Sequence, residues 1–274
     1  MNQKKYNELL HYLKELKSTI VAFSGGVDSS FLLWAAKEAL GEKVKAVTLA
    51  TIYTPRWELA EAKEFAQSLQ VEHEIIEVEM PETIRFNPEN RCYLCKKELF
   101  ARITLLAERQ GFQHVSDGTN FDDLSDYRPG RQALAELGVK SPLLACCLTK
   151  DEIRALSKEK GLATWDKPAY ACLLTRLPYG QEVTQELLTR IEAAERYMMQ
   201  LGFAAVRVRC HDELARIEVD RQERKKLFNE EIAAEISAVF KQLGFRYVTL
   251  DLDGYRMGSF NANQLNDPKG GQHE

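Results

Sequence analysis

No stretch of this sequence approaches the roughly 18 apolar residues that mark a membrane span. Its opening residues, MNQKKYNELLHYLKEL, hold no apolar run of signal-peptide length. The expectation is a cytoplasmic protein with no membrane partner. An excess of positive charge is also missing: 37 Lys and Arg stand against 41 Asp and Glu, and the parts before and after Thr175 each carry a net charge of −2. Proteins that live on nucleic acid usually show a basic surplus at this level of counting, so no nucleic-acid partner is expected. Repeats, linker tracts and low-complexity segments are absent. With 15 Gly, 8 Pro, 45% hydrophobic and 28% charged residues, the chain has the composition of an ordinary folded protein. Neither a Walker loop ending in Gly-Lys-Ser/Thr nor a G-x-G-x-x-G fingerprint is found. Six cysteines in a reducing compartment are not a disulfide framework, and their spacing is read for metal binding or catalysis.

What is present is alternation. Residues 3–16 carry an amphipathic helical pattern, and the apolar run Thr19 to Phe23 ends at Ser24-Gly25-Gly26. Helix, strand, helix and strand follow over 31–40, 44–49, 55–69 and 73–78. A Pro-punctuated stretch then leads to a helix from about Cys95 to Arg109, a strand at 114–116, a weak helix over 131–137, the apolar run SPLLACCL and a helix over 149–160. Strands alternating with helices of this length imply an α/β fold, a doubly wound, mostly parallel sheet with crossover helices on both faces. The irregular run GLATWDKPAYACLLTRLPYG suggests a boundary near Thr175. A smaller α+β domain over 176–274 follows, with a helix over 184–201, two alternating strands, a helix over 221–243 and a last strand.

The most informative segment is Ser24-Gly25-Gly26-Val27-Asp28-Ser29-Ser30, placed where the first strand turns into its helix. There a parallel sheet presents free helix amides to an anion. Adjacent glycines let the backbone approach phosphate, and the Ser hydroxyls add donors. The simpler reading is a Gly/Ser helix cap that binds nothing.

The second constellation is Cys92-Tyr-Leu-Cys95. Two thiols at this spacing at the start of a helix can grip a soft metal or cluster, with zinc, a redox pair and chance as rivals. Cys172 lies in the irregular junction and is a possible third partner. Cys146 and Cys147, side by side in an apolar segment, would point to opposite faces of a strand and read as buried core thiols. Cys210 reads as structural.

The pattern S-G-G-x-D-S resembles the PP-loop ATP pyrophosphatases, whose fold is adenine nucleotide alpha-hydrolase-like. Joined with Asp117-Gly-Thr-Asn120, Asp126-Tyr-Arg-Pro-Gly130, PAYACLLTRLPYG and Val206-Arg-Val-Arg209 with His211, it resembles the LarE family over nearly the whole chain. That family comprises ATP-dependent sulfur-insertion enzymes of nickel-pincer nucleotide biosynthesis, which serves lactate racemase maturation. The resemblance implies a sulfurtransferase that adenylates the carboxylates of pyridinium-3,5-biscarboxylic acid mononucleotide and converts them to thiocarboxylates, releasing pyrophosphate and AMP. It implies ATP held by Ser24, Gly25, Gly26, Asp28, Ser29 and Ser30 with Asp117 and Asn120, and Mg²⁺ on Asp28. It also implies a C-terminal domain for substrate binding or oligomerisation, and a homo-oligomer.

The family supplies sulfur in two ways. A lone cysteine aligned with Cys172 gives up its own sulfur, or three cysteines hold a [4Fe-4S] cluster that takes an extra sulfide from an external source. Cys92, Cys95 and Cys172 match the cluster-bearing kind, because three thiolates leave one iron open. Arg207 and Arg209 share one strand face and, with Arg176, suit the substrate's phosphate and carboxylates; the bland alternative is a solvated face. Arg128 is a weaker anion contact. A turn cap explains Asp117 and Asn120 as simply, and Glu195 and Glu218 read as surface charges in preference to metal ligands. A PP-loop tRNA thiolase, an amidating ligase and a non-catalytic nucleotide-binding regulator are the competing readings.

Overall fold

The computed structural model describes residues 2–124, 129–168 and 170–255. It divides into two compact units, Met1–Tyr170 and Ala171–Glu274, the change falling a few residues ahead of Thr175. Cys172 therefore belongs to the second unit.

The first unit runs α1 (Asn2–Glu15), β1 (Thr19–Ala22), α2 (Val27–Leu40), β2 (Val44–Ala50), α3 (Arg56–Ser68), β3 (Glu72–Glu77), α4 (Arg91–Gln110), β4 (His114–Ser116), α5 (Gly130–Glu136), α6 (Pro142–Ala145) and α7 (Lys150–Glu159). Its four strands are all parallel in the order β3-β2-β1-β4, with Thr19 in register with Val44 on one side and His114 on the other. Alternate residues of β1 serve opposite faces. Val21 joins Leu9, Leu13, Phe31, Leu32 and Leu156 from α1, α2 and α7. Ile20 joins Val47, Val115, Ile103 and Ala107, the last two from α4. Each large side chain buried this way contributes about 1.5–3 kcal/mol. The doubly wound sheet expected from the alternation is thus present, and it reverses direction at β1. A crevice opens there, between the carboxyl ends of β1 and β4.

The apolar run at 141–148 departs from the expectation. Pro142 starts the short helix α6, and Cys147 ends the turn in the left-handed region at φ 53. Cys146 is half-buried and Cys147 exposed, so the two are not a pair of core thiols on a strand.

The second unit holds α8 (Gln185–Gln200), β5 (Val206–His211), β6 (Leu214–Val219), α9 (Glu230–Gln242) and β7 (Tyr247–Leu250). β5 and β6 are antiparallel, β6 and β7 parallel, and α8 lies against β5. The helix expected over 221–243 is broken: a 3-10 turn covers Arg224–Phe228, and the Asn229 side chain then caps α9 by accepting from Glu231 and Ile232. Cys210 is buried, as a structural cysteine should be. Among the described residues no helix is long and apolar enough to cross a membrane.

Candidate functional site

The chain leaves β1 through Ser24 and Gly25 and enters α2 at Gly26. Gly25 takes φ +71, and a Cβ there would stand 3.0 Å from the Ala62 Cβ, so the turn needs glycine on two counts. Gly26 caps α2 without any side-chain hydrogen bond, which leaves the first-turn amides available to an anion. The loop is tied by Ser24 Oγ and Ser29 Oγ at 3.1 Å and by Ser29 Oγ donating to the Gly26 carbonyl at 3.2 Å. Ser30 is fully buried and its hydroxyl has no partner.

A cleft of about 370 Å³ opens in front of this loop. Ser24, Gly26, Asp28 and Ser29 line it with Asp117, Gly118, Thr119 and Asp123, while Val47, Leu49, Leu99, Phe100 and Ile103 form an apolar wall fit for a base. Gly118 brings the β4 loop against α2 so closely that a Cβ would lie 2.9 Å from the Ser29 nitrogen.

Within the cleft Asp28 accepts from Lys150 Nζ at 2.5 Å through Oδ2. Its Oδ1 is buried with no hydrogen bond of good geometry. Burial pushes the Asp28 carboxyl up, Lys150 offsets part of that, and the charge of Asp123 adds to it. A buried carboxylate oxygen whose neighbouring donor is the neutral Asn120 side chain is a fitting first ligand for Mg²⁺, which favours carboxylate and phosphate oxygens.

Asp117 is more committed than a free ligand: Thr119 Oγ1 donates to Oδ2 and Ser141 Oγ to Oδ1, the latter at 2.6 Å. Asn120 Oδ1 caps a turn by accepting from the amides of Asp122 and Asp123 at 2.9 and 3.3 Å. Both residues stand at the carboxyl end of β4, and their side-chain oxygens hold the loop that forms the cleft floor.

Cys92 and Cys95 ride the first turns of α4, which begins at Arg91, ahead of the start expected from the sequence. At i and i+3 they share a helix face. Cys92 is exposed and Cys95 half-buried, and neither is bridged. Burial pushes the Cys95 thiol up, while a hydrogen bond at 3.1 Å with the Tyr53 hydroxyl pulls the other way.

In the second unit Cys172 is exposed, and its Sγ accepts from the Leu174 amide at 3.4 Å. The loop carrying it is set by Arg176, only 1% exposed. That guanidinium makes a bidentate pair with Glu195 at 2.8 and 2.9 Å and donates to the carbonyls of Ala171 and Cys172 at 2.6 and 3.2 Å. Arg209 pairs bidentately with Glu218, both distances 2.9 Å, and donates to the Thr175 carbonyl. Arg207 is buried over the Tyr255 ring. Burial and then the charge of Arg176 pull it below the usual guanidinium range.

Glu195 and Glu218 are therefore not surface charges but the buried partners of Arg176 and Arg209. Arg176, Arg207 and Arg209 thus form with Glu195 and Glu218 a buried group of charged side chains in this unit. Among the described residues no three or more His, Cys, Asp or Glu gather as metal ligands. Asp126 and Arg128 lie outside the described residues.

Sequence reasoning missed Lys150, Lys167, Gly118 and Tyr53. Lys167 Nζ donates to the Gly25 carbonyl at 2.9 Å and pairs with Glu61 at 2.7 Å. One signal was legible for Lys150: a lysine at the first position of a helix, where the dipole disfavours a cation.

The family model for NAD synthase matches residues 3–106. An uncharacterised protein of Synechocystis sp. is 41% identical over 263 residues, spanning 95% of this chain and 98% of that protein. The pyridinium-3,5-bisthiocarboxylic acid mononucleotide synthase of Lactiplantibacillus plantarum is 36% identical over 258 residues, 92% of each chain. An uncharacterised protein of Methanocaldococcus jannaschii is 35% identical over 259 residues, 92% of this chain and 98% of its own.

Proposed function

Because this chain belongs to the LarE family of ATP-dependent sulfur-insertion enzymes, we propose that it converts the carboxylates of pyridinium-3,5-biscarboxylic acid mononucleotide to thiocarboxylates, with Cys92, Cys95 and Cys172 holding a [4Fe-4S] cluster. The observation that carries the ATP half of this reading is the uncapped start of α2 behind Ser24-Gly25-Gly26, facing a cleft that also holds Asp28.

In the first step a substrate carboxylate oxygen attacks the α-phosphorus of ATP, and the bond from that phosphorus to the bridging oxygen breaks. An acyl-adenylate forms and pyrophosphate leaves. The first-turn amides of α2 and the Ser24 and Ser29 hydroxyls take the charge that collects on pyrophosphate. Asp28 would hold Mg²⁺, which would offset phosphate charge, and the apolar wall from Val47 to Ile103 takes the base. In the second step a sulfur nucleophile attacks the acyl carbon and AMP departs with the bonding electrons, leaving the thiocarboxylate. A [4Fe-4S] cluster on three cysteines would supply an open iron to carry the incoming sulfide. Cys92 and Cys95 present two thiols on one helix face, and Arg176 fixes the backbone on which Cys172 stands. Arg207 and Arg209, guanidiniums two residues apart on β5, suit the substrate's phosphate.

A second reading has Cys172 itself as donor: its thiolate displaces AMP to form a thioester, and loss of the Cα proton with cleavage of the Cβ–Sγ bond then leaves the thiocarboxylate and a dehydroalanine. The exposure of that sulfur favours it. Iron and acid-labile sulfide, measured on anaerobically purified protein and on Cys92→Ala, Cys95→Ala and Cys172→Ala, separate the two. About four irons per chain, lost in every variant, are expected for the cluster. A parent that stays iron-free after anaerobic reconstitution overturns it, and a mass loss of one H₂S after turnover then assigns the sulfur to Cys172.

A further inference from the structure

The phosphate loop contains no lysine, and a cation beside the phosphates would offset the charge that builds on them as the anhydride breaks. The fold brings two lysines to the loop from far along the chain. Lys167 is occupied, with its ammonium on the Gly25 carbonyl and on Glu61. Lys150 is placed differently. Its backbone is fixed by a capping box, in which Thr149 and Glu152 satisfy each other's amides, and by Asp122, whose Oδ2 accepts from the Lys150 amide at 2.7 Å. Its side chain is about 30% exposed and reaches one group, Asp28 Oδ2.

We propose that Lys150 is an exchangeable counter-ion: it pairs with Asp28 while the cleft lacks nucleotide, yields that carboxylate to Mg²⁺ when Mg·ATP enters, and turns its ammonium to the phosphate oxygens. The inference rests on reading the loop as an ATP site. Its physical basis is geometric: the Asp28 carboxylate lines the cleft beside the phosphate loop and already carries the Lys150 ammonium at 2.5 Å. An ammonium on Oδ2 and a divalent ion on the same carboxylate repel each other. A polyphosphate arriving with the metal offers the ammonium a stronger set of acceptors a short rotation away. Lys150 should therefore oppose metal binding to the empty cleft and assist binding of the metal-nucleotide complex. A residue that merely supports the fold would move both affinities in one direction.

The test uses the full chain and its Lys150→Met and Lys150→Arg variants, each checked for an unchanged melting profile. Free Mn²⁺ is followed by its electron paramagnetic resonance signal, first without nucleotide and then with α,β-methylene-ATP. Lys150→Met is expected to bind Mn²⁺ alone roughly tenfold more tightly and the Mn²⁺-nucleotide complex roughly tenfold more weakly, the size of one charge-assisted contact. Lys150→Arg should stay near the parent in both. No change, or a change of the same sign in both measurements, overturns the proposal. If Lys150→Met melts early, Lys150→Gln serves in its place under the same criteria. A parent that fails to bind the nucleotide with Mn²⁺ would instead overturn the ATP reading of the loop, which keeps the two failures apart.

Discussion

Asp28 must be ionised to hold a metal, in surroundings that work against ionisation. Its pKa is raised in the folded chain, burial being the main cause, so the unfolded chain gives up this proton more readily. Stability from this group is full below the pKa of an unfolded aspartate and lost as pH rises through the folded value. Asp28→Asn is therefore expected to be at least as stable as the parent at pH 8 in thermal melts, with the advantage shrinking as pH falls towards the ordinary carboxylate range, while pyrophosphate release is abolished. A variant that melts well below the parent at every pH would show the carboxylate to be structural. The local run around Asp28 was legible because strand, glycine pair and helix are contiguous in sequence. Lys150 was not, since its meeting with Asp28 depends on the tertiary path of α7. Glu195 carried a signal that could have been used: Ile191 and Met198, four residues before and three after it, place it on the apolar stripe of α8, where a solvated charge does not belong.

At the scale of elements, the site depends on where helices begin. α7 starts at a capping box that pattern reading could anticipate from Thr149 and Glu152. α4 starts at Arg91 although the Asn90 side chain makes no capping bond, and its beginning was placed too late for that reason. The consequence is that both cysteines sit inside the helix with their directions fixed by it. Loss of the α7 cap should be felt twice. Thr149→Ala is expected to cost about 1 kcal/mol of stability in urea titrations, and to weaken nucleotide binding because the fraying turn carries Lys150. Nucleotide affinity that stays at the parent's level despite the lost stability would show that Lys150 does not depend on the cap for its position.

For the whole molecule, charge sets what can dock. Both parts of the chain are acidic, and the buried arginines are mostly spent on Glu195 and Glu218. Transfer RNA is thus expected to bind weakly in a filter assay at about 0.15 M salt, where long-range attraction is already screened; submicromolar retention falling steeply with salt would favour a tRNA thiolase. The layer order was legible from alternation alone, whereas the break near Phe228 and the turn at Cys147 were not, because each rests on one local choice of backbone. The loop at Cys172 has a last consequence. Its anchors on the arginines are main-chain carbonyls, those of Ala171 and Cys172 on Arg176 and that of Thr175 on Arg209, to which the sulfur adds a cap bond from the Leu174 amide. A copy that has lost or exchanged that one atom gives up the cap bond but keeps the three carbonyl anchors, so spent copies would persist as folded decoys competing with intact ones for the same nucleotide.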